Sequence, residues 1–203
     1  MSTSSSASGQ GPIWPRCCAA GARSPGRCAR PGRPGSTCCP GAPAAGAWAG
    51  LGPPLLERLL DDLAGLARGY DVTLLDLPAG IDHAVRRLLR AATLRLVVTT
   101  EEPTALTDAY ALIKVSRNDD ASGALEVVVN LAANHEAGRR THEGLQRVCA
   151  HFLGLSPPLA GVLRRDPRVV DAIRHQSPLL LRHPASPAAR DVEALARRLQ
   201  AAP

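Results

Sequence analysis

Lysine is nearly missing from this sequence, and acidic residues are missing from its first part. The 203 residues contain one lysine, Lys114, and the first acidic residue is Glu57. A phosphate-binding loop of the form G-x-x-x-x-G-K-[ST] needs a lysine directly after its last glycine. Lys114 follows an isoleucine, so the sequence carries no loop of this form. The G-x-S-x-G turn that presents a nucleophilic serine is absent as well, which excludes hydrolases of that type.

Long apolar stretches are also missing. No run of about 18 apolar residues could form a membrane-spanning helix, and no apolar stretch near the start has the length of a secretory signal. Five of the six cysteines nevertheless lie in the first part of the chain: Cys17, Cys18, Cys28, Cys38 and Cys39. Two adjacent pairs with one cysteine between them do not match the ligand spacing of a zinc site. We therefore expect a cytoplasmic chain with reduced thiols.

Residues 1–53 differ in composition from the rest of the chain. They are rich in glycine, proline, alanine and serine, and their five arginines supply +5 of the formal net charge of +6. Such a composition buries too little apolar surface to fold, so we predict a disordered tail over residues 1–53. Its arginines are scattered, and specific nucleic-acid binding is not expected. Residues 54–203 are predicted to form the folded domain.

Helical and extended patterns alternate from residue 54 onward. Short apolar runs predict strands at 72–76, 94–100, 125–131 and 158–163. Helices are predicted between these runs, with starting signals that include Asp82, Thr104, Asp166 and Ser186 and with Gly154 as a stop. The fold class that follows is α/β, a layered and mostly parallel sheet with helices on both faces.

Loops that follow strand carboxyl ends are where such sheets place their functional residues. Asp76 ends the first predicted strand within "YDVTLLDLPAGID" (residues 70–82). An aspartate there can hold a Mg²⁺-bound water beside a nucleotide, and Gly80 can let a backbone N–H approach a phosphate. The same residues also fit a plain turn followed by a helix cap. The residues alone leave both interpretations open.

Several segments together resemble one family. "YDVTLLDLPAGI", "RLVVTTEEPTALTDAYALIKV", "LEVVVNLAANHEAGRRTHEGLQRVCAHFLGL" and "DPRVVDAIRHQSPLLLRHPASPAARDVEALARRL" occur in this order. They are similar to the C-terminal two-thirds of the MinD/ParA-like P-loop ATPases of the flagellar-number type (FlhG/FleN). The resemblance covers roughly residues 55–200. It implies a P-loop NTPase fold and a role in setting flagellar number or placement.

The resemblance also implies a nucleotide site that uses ATP and Mg²⁺. Asp76 matches the Walker B aspartate, which acts on the metal through water, and Gly80 matches the switch II glycine. Asn130 matches a position that contacts adenine in related ATPases. Two departures are visible, because Arg164 and Glu101 stand where the family usually has prolines.

A larger departure concerns the phosphate-binding half of the site. Members of the family begin with a glycine-rich loop that carries two lysines. The strand that leads into this loop is central in the sheet and lies beside the Walker B strand. No counterpart is found here, so we expect ATP binding to be doubtful and ATP hydrolysis to be absent or very weak. The tail composition resembles GC-rich coding sequence read out of frame. A truncated or frame-disrupted product, and a non-catalytic partner-binding module, are therefore alternatives to the regulator.

The resemblance also implies partners, and a few further expectations follow from the residues themselves. A relative of this type implies flagellar regulators or assembly proteins as partners, a homodimer, and weak peripheral contact with the inner face of the membrane. The last helix carries a narrow apolar stripe that we expect to pack on the sheet rather than on lipid. His135 and His142 are expected to be solvated on a helix face, and Cys149 is expected in the core.

Overall fold

The computed structural model describes residues 52–120 and 123–201. Its contacts divide the chain into two units, Met1–Leu88 and Leu89–Pro203. The tail predicted over residues 1–53 lies almost entirely outside the described residues and stays a prediction.

The described part of the first unit is built on two helices. Helix α1 (Pro53–Ala67) begins with two prolines, which suit a first helical turn because their missing N–H groups have no partner there in any case. Helix α2 (His83–Ala91) starts where the Asp82 side chain accepts a hydrogen bond from the Val85 N–H at 2.9 Å, as predicted. Their apolar faces share one small core, formed by Leu56, Leu59, Leu63, Ala84 and Leu88.

The segment between these helices corrects one prediction. Residues 72–76 are not a strand, and they join no sheet within the described residues. Val72 is 59% exposed and Leu74 is 80% exposed. An apolar run forms a strand only when a neighbouring strand takes its backbone hydrogen bonds, and the described residues supply no such neighbour to this segment.

The second unit contains a three-stranded parallel sheet with the order β1-β2-β3. Its elements follow in chain order: β1 (Leu94–Thr99), α3 (Pro103–Asp119), β2 (Ala124–Ala132), α4 (His135–Leu153), β3 (Leu159–Arg164), α5 (Pro167–Arg174), α6 (Leu179–Arg182) and α7 (Pro187–Ala201). The three strands fall where the sequence predicts them, and α6 is a short helix that the sequence pattern did not predict.

Helices lie on both faces of this sheet. Consecutive residues of a strand point to opposite faces, and Val162 and Gly161 of β3 show the consequence. A Cβ on Gly138 of α4 would meet Val162, whereas a Cβ on Gly161 would meet Leu195 of α7. Helices α4 and α7 therefore cover opposite faces, and the predicted α/β fold class is confirmed. The apolar stripe of α7 packs on β3, as expected.

The core lies between the sheet and the α3–α4 layer. Val127 and Val129 of β2 are fully buried there, together with Ile113 of α3 and Cys149 of α4. The prediction that Cys149 is a core residue is confirmed, and burial raises the pKa of its thiol. β-Branched residues in the central strand give this layer stiff side chains that pack closely.

Most helix ends follow their local sequence signals. Asp166 caps α5 through the Arg168 N–H at 2.9 Å, and Ser186 accepts a hydrogen bond from the Ala189 N–H at the start of α7. Gly154 ends α4 with φ +63°, where a side chain would be strained. The predicted Thr104 cap is wrong. Helix α3 starts at Pro103, because a proline is well suited to the first helical position.

No helix within the described ranges is both long and apolar enough to cross a membrane.

Candidate functional site

Asp76 and Gly80 both belong to the first unit, in the segment between α1 and α2, and Gly80 lies in a bend close to the start of α2. Asp76 is exposed at the end of the extended segment. Gly80 has φ +128° and open space where a Cβ would project. Only glycine adopts this backbone conformation without strain, so the turn itself accounts for the glycine. This geometry agrees with a turn and leaves the proposed metal and phosphate roles to experiment.

Asn130 lies in the second unit, near the carboxyl end of β2. Its Oδ1 accepts a hydrogen bond from the Leu131 N–H at 2.8 Å. Leu131 has φ +54°, an uncommon conformation for a branched residue, and the side-chain bond of Asn130 helps to hold it. The loop after β1 joins this end, because Glu101 Oε1 accepts from the Ala133 N–H at 3.3 Å. Asn130 and Glu101 therefore fix the loops at this edge.

Arg164, at the end of β3, is bound to Asp191 of α7. The Arg164 Nε and Nη2 groups donate to the two carboxylate oxygens at 2.9 and 2.8 Å. The Arg164 backbone N–H donates to the same carboxylate at 3.0 Å, and Nη2 also reaches the Pro187 carbonyl at 3.2 Å. Paired, parallel bonds between a guanidinium and a carboxylate fix the geometry of both groups. Arg164 is thereby held against α7.

His135 completes this group from the start of α4. Its Nε2 lies 3.0 Å from Asp191 Oδ1. Asp191 is 6% exposed. Burial on its own raises the pKa of this carboxyl, but the hydrogen bonds from Arg164 and His135 outweigh burial, and the pKa of Asp191 lies below its usual range. The carboxylate thus joins α4, β3 and α7 at one edge of the sheet. We call Arg164, Asp191 and His135 the Asp191 cluster.

The histidine prediction is wrong for His142. This residue is buried, and its Nε2 donates to the Pro157 carbonyl at 2.9 Å. A carbonyl can only accept, so Nε2 carries a proton. A loop 15 residues later covers the side chain, which local helix periodicity could not reveal. Sequence analysis also missed Asp191, because nothing in its local sequence distinguishes it from a surface acid.

Among the described residues, no group of three or more His, Cys, Asp or Glu side chains could hold a metal ion. Asp76 supplies a single exposed carboxylate in the first unit. In the second unit the guanidinium of Arg164 occupies the position where the family usually has a proline, and Asp191 holds it there.

A family model matches most of this chain. The model described as "Cellulose biosynthesis protein BcsQ" matches residues 54–199. Among curated proteins, the chain is 31% identical to "Antiactivator FleN" of Pseudomonas aeruginosa over 75% of this chain and 55% of that protein. It is 34% identical to "Flagellum site-determining protein YlxH" of Helicobacter pylori over 49% of this chain and 35% of that protein. The chain spans about half the length of FleN and about a third of YlxH.

Solved structures agree on the fold. A ParA family ATPase from Chlorobium tepidum superposes with a TM-score of 0.64 at 19% identity, covering 82% of this chain and 65% of that one. The septum site-determining protein MinD of Pyrococcus horikoshii, complexed with Mg-ADP, superposes with a TM-score of 0.56 at 21% identity, covering 71% and 56%. Identities this low support the fold alone. Because the family model matches more than two-thirds of the residues of this chain, the chain belongs to the family described as cellulose biosynthesis protein BcsQ, among the MinD/ParA-like P-loop ATPases.

Proposed function

We propose that this chain regulates flagellar number or placement by binding partner proteins, with ATP hydrolysis absent or very weak. The similarity to FleN and YlxH, at 31% and 34% identity, supports the flagellar role. The observation that best supports the proposed loss of ATP hydrolysis is the set of hydrogen bonds that Arg164 makes. Its guanidinium is bound to the buried carboxylate of Asp191 through two side-chain hydrogen bonds, at the edge of the sheet where a relative would place adenine.

The scarcity of lysine in this chain supports the same proposal. Phosphoryl transfer depends on positioning and on positive groups that stabilise the charge of the transferred phosphoryl group. Removing one such preorganised group typically costs about 100- to 1,000-fold in rate. The single lysine of the sequence, Lys114, lies within α3 and not in a loop after a strand. Asp76, Gly80 and Asn130, which the resemblance assigns to a nucleotide site in relatives, are therefore proposed not to support ATP hydrolysis in this chain.

The alternatives differ in what they retain. A non-catalytic binding module keeps partner surfaces but neither binds ATP nor dimerises with it. A defective product of a truncated or disrupted frame does not form a stable domain. A regulator that still binds ATP, with Asp76 reaching Mg²⁺ through water, forms a nucleotide-dependent homodimer. A last possibility is weak peripheral membrane contact through α7, although its apolar stripe packs on β3.

Purified full chain separates these alternatives. We expect ATP turnover at the background rate, unchanged by the substitution Asp76→Ala, because a lone carboxylate cannot hydrolyse ATP. Calorimetric titration with Mg-ATP and sedimentation with and without Mg-ATP show whether nucleotide binds and whether it drives dimerisation. Turnover that Asp76→Ala abolishes would refute the proposal and establish an active ATPase. Failure of the chain to unfold cooperatively would favour the defective product.

The flagellar role is tested in cells. The chain is expressed in Pseudomonas aeruginosa that lacks FleN, and flagella per cell are counted by electron microscopy. We expect the distribution of flagellar number to differ from that of cells carrying an empty vector, and Asp76→Ala to behave like the unsubstituted chain. Identical distributions for the vector and for a well-expressed chain would contradict the flagellar assignment.

A further inference from the structure

Strand β1 lies at one edge of the described three-stranded sheet. Its inner edge pairs with β2 along Leu94–Thr99, and no strand of the described chain pairs with its outer edge. The outward N–H and C=O groups of such a strand can form a ladder with an added strand. The opposite edge, β3, is partly covered, because Arg198 of α7 donates to the Leu159 and Ala160 carbonyls. The outer β1 edge is therefore the place where this sheet can be extended.

The outer β1 edge also lacks the usual protection against pairing. Charged side chains, prolines and bulges commonly protect an edge strand. Strand β1 contains no proline and pairs with β2 without a bulge. Its only charged residue, Arg95, is 2% exposed, because its side chain turns inward to the Asp120 carboxylate. The opposite face carries only apolar residues, Leu94, Leu96 and Val98, and Val98 is 59% exposed.

The chain carries a strand-like segment that has no ladder partner in the described structure. Residues 72–76 are all exposed, Leu74 at 80% and Val72 at 59%. As a strand they would span about 17 Å, close to the roughly 20 Å of the six-residue β1. Val72 and Leu74 would then lie on one face and Leu75 on the other, a pattern that suits pairing within a sheet covered on both faces. We call residues 72–76 the exchanged segment.

We propose that two copies of this chain form a dimer in which the exchanged segment of each copy pairs with the outer β1 edge of the other. Each copy carries one such segment and one such edge, so a two-fold axis satisfies both in each copy. Backbone hydrogen bonds would hold the added strand, and burial of its exposed leucines would favour association. The dimer requires no nucleotide. In dilute solution it dissociates, and the exchanged segment is then exposed.

Two substitutions affect the exchanged segment and the outer β1 edge separately. Leu74→Lys and Val98→Lys each place a charge where the added ladder would form, which opposes pairing. Both side chains are exposed in the single chain, so both variants should keep its fold, as urea unfolding checks. Ile173→Lys is the matched control, because Ile173 is 69% exposed on α5 and belongs to neither surface.

Sedimentation velocity of the full chain tests the dimer from low to several hundred micromolar concentration, with reduced thiols and without nucleotide. We expect the mass to rise from that of one chain to that of two and no further. Leu74→Lys and Val98→Lys should each weaken dimerisation at least about tenfold. Ile173→Lys should leave dimerisation unchanged.

A mixture of the two interface variants distinguishes strand exchange from other dimers. The Leu74→Lys chain retains an intact β1 edge, and the Val98→Lys chain retains an intact exchanged segment. A mixed dimer therefore has one intact ladder, whereas a dimer of either variant alone has none. The mixture should dimerise about tenfold more tightly than either variant alone.

Hydrogen exchange locates the pairing. Amides of residues 72–76 should become protected as protein concentration rises. Several results would overturn the proposal: a mass that stays that of one chain or grows beyond two, dimerisation only with nucleotide, and equal weakening by Ile173→Lys. A mixture no tighter than its components would also overturn it. So would protection of residues 72–76 that does not depend on concentration, which would make the pairing internal to one chain.

Discussion

At the scale of single residues, the lowered pKa of Asp191 predicts how the free energy of unfolding changes with pH. Its pKa in the folded chain lies below the usual aspartate value of about 3.9. A depressed folded pKa stabilises the fold above the unfolded value, and that contribution is lost as pH falls through the folded value. We expect the free energy of unfolding to fall below about pH 4. Urea titrations between pH 7 and pH 3 measure it.

The substitution Asp191→Asn isolates this carboxylate. At pH 7 it should lower the free energy of unfolding by about 2–4 kcal/mol, because Arg164 loses its charged partner while it stays partly buried. The variant should also lose less stability than the original chain between pH 5 and pH 3. Parallel pH curves would place the acid sensitivity elsewhere. The candidates are then Asp171, whose pKa the Arg182 and His183 side chains hold well below its usual range, and Asp166, whose pKa the Arg168 and Ala188 N–H groups lower despite burial.

Two glycines of one helix give a prediction at the scale of elements. A Cβ on Gly138 of α4 would lie 2.4 Å from the Cγ1 of Val162, whereas a Cβ on Gly144 would enter open space. Gly138→Ala should therefore lower the free energy of unfolding by about 1–3 kcal/mol through overpacking against β3. Gly144→Ala should raise it by about 0.5–1 kcal/mol, because alanine favours the helix.

Chemical denaturation of the two alanine variants tests the pair directly. Since both substitutions are the same and lie in the same helix, helix propensity cancels and the difference reports the contact of Gly138 with β3. A Gly138→Ala variant as stable as Gly144→Ala would show that α4 does not approach β3 this closely.

Helix ends and strands differ in how far the sequence could predict them. Asp82, Asp166 and Gly154 mark helix ends correctly because a cap depends on a few neighbouring residues. Residues 72–76 have the composition of a strand but not the structure of one, because a strand also needs a distant partner. The residue pattern therefore predicted the local elements, whereas hydrogen-bond pairing between distant segments decided which apolar runs formed a sheet.

At the scale of the whole molecule, the same limit applies to the candidate site. Resemblance singled out Asp76, Gly80 and Asn130, and their roles remain proposals. The Asp191 cluster was not predicted, because Asp191 is 27 residues from Arg164 and 56 from His135 in sequence. A buried ion pair of this kind depends on the packing of α7 against the sheet, which no local pattern encodes.

We expect the rate of amide hydrogen exchange to differ between the two units, because only the second contains a described sheet. The amides of Val127, Val128 and Val129 lie in the central strand, fully or nearly fully buried, and should be among the slowest to exchange. Amides of residues 72–76 have no ladder partner in the described structure and should exchange at the earliest time points. Mass spectrometry of peptides from the intact chain measures both. Protection of residues 72–76 equal to that of β1 would show that this segment is a paired strand in solution, and protection that rises with protein concentration would assign the pairing to a second copy.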